Sequence, residues 1–245
     1  MHNKAEILSK VKQLIAMRNK GLLGGDKMPE DENPGLDKLS AENLLYFTLP
    51  MALNYQRNSY KLWEAVNKTF TDPLVKNVFN PTDVLKMSDA DLRAALLKYK
   101  VALQPTKHIE IWRTLCNTFS RKPIDKFLME LDFDIDKIKL YIQKNKKDFP
   151  YLSGPKILNY WLYVMEQYTN VKFIDRENIT VAPDTHIIQA SCKLGIIDES
   201  ETTQPNIQDI VSERWQDILF DTGYCPIDMH TPLWLWSRGR FKIMI

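Results

Sequence analysis

Two segments hold the residues of this chain best suited to chemistry. In Leu152-Ser153-Gly154-Pro155-Lys156 a turn rich in glycine and proline runs into an apolar periodic stretch, which predicts Lys156 in the first turn of a helix. In Val181-Ala182-Pro183-Asp184-Thr185-His186 the aspartate stands where the side-chain cap of a further helix belongs. An amine at the positive end of a helix, in a pocket that restricts water, is less stable as an ammonium ion, so more of it is neutral and nucleophilic. A carboxylate at the next helix start adds a fixed negative charge. The pair suggests amine nucleophile chemistry beside a bound anion.

The elements that must position them are helical. Eight glycines in 245 residues are few for a chain built from tight β-turns, and apolar residues recur at three- and four-residue intervals almost throughout. The reading is all-α. Ile7, Leu8, Val11, Leu14 and Ile15 predict a first amphipathic helix, closed by Gly21 and the Gly24-Gly25 pair. The polar segment from Gly24 to Lys38 reads as a loop or lid. A helix starts at Ser40 and is kinked or broken at Pro50, another covers 58–70, and Ser88 opens the next. Further helices are expected over 106–119, 123–131, 134–146, 155–169, 184–194, 207–222 and 229–238, with 172–181 irregular or briefly extended.

Helix 134–146, the turn with Pro150 and Gly154, and the helix from Pro155 form a helix-hairpin-helix candidate. Such a hairpin can aim several backbone N–H groups, among them those of Ser153 and Gly154, at one phosphate, and the following helix start adds partial positive charge. The cluster Lys144-Asn145-Lys146-Lys147 lies just before it, so Lys146 and Lys147 join the candidate phosphate contacts. The same cluster is equally readable as a solvated face.

Composition sets bounds on partners. With 33 basic and 31 acidic residues the formal net charge is +2, so any surface for a polyanion must come from local arrangement. No stretch reaches the roughly 20 apolar residues that span a bilayer, and the N-terminus has no apolar run behind its charges, so the expected location is intracellular, cytoplasm or nucleoid, with no membrane partner. Cys116, Cys192 and Cys225 are scattered and are expected as reduced thiols, mostly buried. No phosphate-binding or dinucleotide fingerprint is present, and the histidines His2, His108, His186 and His230 are dispersed, so neither cofactor nor metal is expected.

Three strings carry a resemblance: Pro155-Lys156-Ile157-Leu158-Asn159-Tyr160, Ala182-Pro183-Asp184-Thr185-His186, and Asp228-Met229-His230-Thr231-Pro232-Leu233-Trp234-Leu235-Trp236. In these the chain resembles the helix-hairpin-helix DNA glycosylases, and most closely the archaeal GO glycosylases, which remove 8-oxoguanine and cleave the abasic product. The resemblance spans about residues 40–240 and is specific mainly in the C-terminal half. It implies a single glycosylase unit with two helical subdomains flanking a DNA-binding cleft. One subdomain is expected at about 45–155, including the hairpin, and the other is formed by 1–44 with 156–245.

The resemblance further implies base-excision repair of damaged double-stranded DNA by a monomer with glycosylase and abasic-site lyase activity. Lys156 would attack the anomeric carbon and hold the sugar as a Schiff base for β-elimination, and Asp184 would stabilise developing positive charge. Trp63 and Trp234 would wall the pocket for the extruded base. The segment Asn54-Tyr55-Gln56-Arg57-Asn58-Ser59-Tyr60 is itself rich in side chains that read or wedge bases, and Gln56 is a candidate for contacts at the lesion. Two departures are visible. His230 stands where the family carries an aspartate involved in base recognition, and a histidine can donate where a carboxylate only accepts. The hairpin lacks the second glycine of the usual Gly-x-Gly. A glycosylase for another damaged base is therefore one alternative, and a non-catalytic helix-hairpin-helix DNA-binding protein is a second. A purely structural helical protein is a third.

Overall fold

The computed structural model describes residues 4–23, 27–38 and 40–245, and these are all-helical. His2 and the Gly24-Gly25 pair lie outside the described residues. Among the described residues the α-helices are α1 (Lys4–Asn19), α2 (Ala41–Thr48), α3 (Ser59–Thr71), α4 (Pro81–Lys86), α5 (Asp89–Lys98) and α6 (Lys107–Arg121). They continue with α7 (Ile124–Glu130), α8 (Ile135–Lys144), α9 (Pro155–Tyr168), α10 (Thr185–Lys193), α11 (Ile207–Leu219) and α12 (His230–Arg238). Extended pairing among them is limited to an isolated parallel bridge between Asp134 and Ile174. No helix among them is long and apolar enough to cross a membrane.

Side-chain caps set the starts of many helices. Ser40 Oγ accepts from Asn43 N–H, Asn58 Oδ1 from Lys61 N–H and Asp134 Oδ1 from Lys137 N–H, each filling one of the donors a helix start leaves open. Pro50 ends α2 and turns the chain into a 3-10 helix, Pro50–Leu53, because its ring removes a donor and crowds the preceding turn. The short helix α4, absent from the sequence reading, is set by Asn80 as cap and Pro81 in the first helical position.

The chain divides into two compact units, Met28–Asp175 and Met1–Lys27 with Arg176–Ile245. The sequence reading placed the divisions near 44/45 and 155/156. The whole of α9 therefore belongs to the unit that also contains α2–α8.

In the unit Met28–Asp175, α9 is buried on most of its circumference, through Ile157, Leu158, Tyr160, Trp161, Leu162, Val164 and Met165. It packs on α2. The pairing is tied by polar bonds inside the core: Trp161 Nε1 donates to Thr48 Oγ1 at 2.9 Å, and that hydroxyl donates to Leu44 O at 2.7 Å. Each buried indole N–H that finds an acceptor avoids a desolvation cost of roughly 1–3 kcal/mol. Of the segment expected as a loop or lid, residues 27–38 are described and are irregular apart from one 3-10 turn, which is docked on α9. Residues Pro29–Asp31 form a 3-10 turn in which Glu30 is fully buried, and Tyr160 and Tyr168 donate their hydroxyls to Glu30 Oε2 (2.9 Å) and Asp31 Oδ1 (2.7 Å).

In the other unit, α10 packs chiefly against α12, and α1 packs on α11 and α12. Trp215 of α11 donates to Ser191 Oγ on α10 at 2.9 Å, while Ser191 donates to Ile187 O. The three cysteines are free thiols, and Cys116 alone of them is fully buried.

Candidate functional site

Lys156 is the second residue of α9. Gly154 is the N-cap and offers no side-chain cap, and Pro155 has no N–H to satisfy. The positive end of a well-buried helix is thus left open beside a half-buried lysine. An added Cβ at Gly154 would lie 3.3 Å from Tyr151 O, so the close approach of that carbonyl favours glycine there.

The hairpin turn differs from its expected role. Leu152 N–H donates to Pro150 O, Ser153 N–H to Phe149 O and Gly154 N–H to Tyr151 O. These donors face inward, so Ser153 and Gly154 do not present the row of N–H groups assigned to them from the sequence. Tyr151 takes the left-handed conformation (φ 61°) that a glycine would adopt without strain, and Gln143 Nε2 closes the turn on Ser153 O at 2.7 Å. What remains for an anion at this turn is the start of α9. Lys146 and Lys147 are exposed in the turn that follows α8.

Asp184 is the N-cap of α10, as expected. Its Oδ1 accepts from Ile187 N–H at 3.0 Å, and its Oδ2 accepts from Trp234 Nε1 at 3.2 Å. A cap needs one oxygen, and the indole holds the other. Trp234, half-buried on α12, meets the His186 ring edge-on at 5.4 Å and has the Arg238 guanidinium 5.0 Å from its ring centre. His186 Nδ1 lies 3.1 Å from Ser237 Oγ, which donates to Gln189 Oε1. One face of α10 and one of α12 are thereby joined through side chains. His186 supports the local structure between α10 and α12. The roles of Ser237, Gln189 and Arg238 were not read from the sequence, because ordinary polar residues on a helix carry no local signal of their partners.

His230 opens α12 and is buried, 4% exposed. Gln56 is exposed in a left-handed conformation (φ 49°). The expectation that Trp63 walls a base pocket is corrected: it is 0% exposed and packs against Tyr46 and Phe47, with no ring face open to a base.

Two further titratable groups were missed. Burial pushes the Glu30 carboxyl up to about 7, although its own backbone bond, Tyr160 and Trp63 favour the ionised form. Burial lowers the Lys139 amine on α8 to about 8, which raises its neutral fraction. Neither was visible in sequence, since Glu30 lies in a charged stretch and Lys139 in an ordinary amphipathic helix. Among the described residues no group of three His, Cys, Asp or Glu side chains is arranged to hold a metal ion.

No protein-family model matches the chain, and no curated protein or solved structure does so either.

Proposed function

We propose that this chain is a helix-hairpin-helix DNA glycosylase with abasic-site lyase activity, acting on an oxidised purine, 8-oxoguanine above others. The observation that carries the reading is the double restraint of Asp184. A structural cap is complete with Ile187 N–H alone, whereas a carboxylate fixed at both oxygens is oriented to meet a cationic sugar. Lys156, at the uncapped start of α9, supplies the amine.

In the proposed reaction the Lys156 amine forms a bond to the sugar C1′ as the bond from C1′ to the base breaks. The base leaves with a proton that the lysine gives up. Ring opening gives the Schiff base, loss of a C2′ proton expels the 3′ phosphate, and water then releases the lysine. Asp184 opposes the positive charge that builds on the sugar as the base departs. Protein side chains suffice for these steps.

His230 favours a second reading within the class. In place of the family's carboxylate, a buried imidazole presents a different donor and acceptor pattern, which suits another damaged base.

Borohydride trapping tests the reading. Wild type is expected to give a covalent adduct on 8-oxoguanine and abasic duplexes, and Lys156→Gln none on either. An adduct on the abasic duplex alone would point to another lesion. An adduct that survives in Lys156→Gln and disappears in Lys139→Gln would move the nucleophile to α8. No adduct with wild type would leave a DNA-binding or structural protein.

A further inference from the structure

The start of α3 borders a groove of about 260 Å³ whose described lining carries Arg57, Lys61, Lys68 and Lys100 against one carboxylate, Glu64. The local excess is greater than the +2 of the whole chain. Glu64 is engaged by Lys68 at 2.5 Å and lies within electrostatic reach of Lys61, and among the described residues no carboxylate stands within ion-pair distance of Lys61 or Lys100.

The groove is built rather than incidental. Arg57 donates from Nη1 to Val101 O (2.6 Å) and from Nη2 to Lys100 O (3.1 Å), which pins the loop before α3 to the loop after α5. A second stitch joins the same loops. Tyr55 Oη lies 3.2 Å from His108 Nε2, and His108 Nδ1 accepts from Leu103 N–H at 3.0 Å. Lys100 itself is left-handed (φ 65°), a conformation that costs a non-glycine residue energy and is held here by the Arg57 bond. The ammonium groups of Lys61 and Lys100 are therefore carried on walls whose backbone positions are set before any ligand arrives.

We propose that this groove seats the phosphodiester backbone of duplex DNA, with Lys61 and Lys100 each neutralising a phosphate. The inference rests on the reading of the chain as a protein that acts on DNA. It adds a surface lined by residues other than those of the hairpin turn, whose Leu152, Ser153 and Gly154 N–H groups are spent and whose Tyr151 stacks on Tyr55 at 4.1 Å. Lys61 and Lys68 are seven residues apart on α3, or about 10.5 Å along the axis, a distance that follows roughly three nucleotides of one strand. The weak exposed pair between Lys68 and Glu64 leaves Lys68 able to exchange its carboxylate for a phosphate.

The test is fluorescence anisotropy of a labelled, undamaged duplex across about 50–200 mM salt, comparing wild type with the double variant Lys61→Gln/Lys100→Gln. Two lost phosphate contacts should lower the slope of log affinity against log salt by about 2 and weaken binding roughly tenfold near 100 mM. Lys126→Gln, an exposed lysine on α7, should change neither. Lys61→Arg/Lys100→Arg should bind like wild type, since charge rather than residue type is used. A double glutamine variant with wild-type slope and affinity overturns the proposal. Borohydride trapping by wild type on 8-oxoguanine and abasic duplexes, each at saturating concentration, separates the two readings. An adduct with an unchanged slope sinks the groove alone, a reduced slope without an adduct sinks the glycosylase reading alone, and a wild type that binds no duplex sinks both.

Discussion

Trp234 donates its indole N–H to the same carboxylate of Asp184 that caps α10, so α12 sets the orientation of a charge carried at the start of α10. The relationship makes Trp234 a positioning residue in the proposed reaction. Trp234→Phe keeps an aromatic ring and removes the donor. Single-turnover base release should then slow about tenfold, which corresponds to about 1.4 kcal/mol, while lesion binding changes less than about threefold. A variant that loses binding and rate equally would make Trp234 a contact to the base instead.

Asp184→Asn separates charge from capping. Asparagine caps helices about as well as aspartate, so stability is expected to fall by about 1 kcal/mol, owing to the amide meeting the indole donor of Trp234. Base release should fall by far more than DNA affinity. Urea titration and single-turnover assays on the same samples check this, and matched losses of folding and rate would remove the catalytic assignment.

Glu30 predicts an unusual pH dependence of stability. Its folded value, near 7, lies above the value of 4.5 for an open chain, so the folded state holds the proton more tightly. The contribution is fully present below about 4.5 and is lost as pH rises through 7, a change on the order of 3 kcal/mol. Glu30→Gln should remove that slope, so the variant gains on wild type between pH 5 and pH 8. Denaturation midpoints at the two pH values measure it, and parallel shifts for both proteins would contradict the buried acid.

His108 acts with the opposite sign. Burial first, and then Arg57 and Lys107, bring it down to about 4. Its Nδ1 accepts from Leu103 N–H, so the neutral ring donates from Nε2 toward Tyr55. Stability from this site is full above 6.5 and is lost as pH falls toward 4. His108→Gln, which can keep both bonds, should flatten the acid limb of the stability curve, and an unchanged limb would place the acid sensitivity elsewhere.

Ser191→Ala leaves the buried Trp215 N–H without its acceptor and should cost roughly 1–3 kcal/mol in urea denaturation. Because Ser191 lies on α10, hydrogen exchange at Ile187 and Ile188 should quicken with it. Unchanged protection would show that the Trp215 bond does not hold this helix.

The helical class and most helix starts were legible because their causes are local. Proline after a cap-compatible residue before α9, and aspartate before the amphipathic run of α10, act within a few residues of chain. The places of Lys156 in the first turn of α9 and of Asp184 at the start of α10 follow from the same local logic. The roles of Trp63 and Trp234 were not separable in this way, since both are tryptophans on amphipathic helices. Which ring is fully buried depends on Tyr46 and Phe47 in one case and on Asp184 and Arg238 in the other. The inward N–H groups of the hairpin depend on Tyr151 adopting a left-handed turn without glycine, which no composition rule indicates. Glu30 lay hidden in a charged stretch for a related reason: its burial is imposed by Tyr160, far away in sequence.

The bond between Glu30 and Tyr160 also limits the routes by which this chain can change. Tyr160→Phe first would strand a buried carboxyl with one acceptor bond fewer, whereas Glu30→Gln first leaves an amide oxygen that still accepts the phenol. The two orders of substitution reach the same double variant through intermediates of unequal stability. Tolerance at position 160 is therefore decided by what already stands at position 30, and a library that samples both positions together should recover pairs that scanning either one alone would discard.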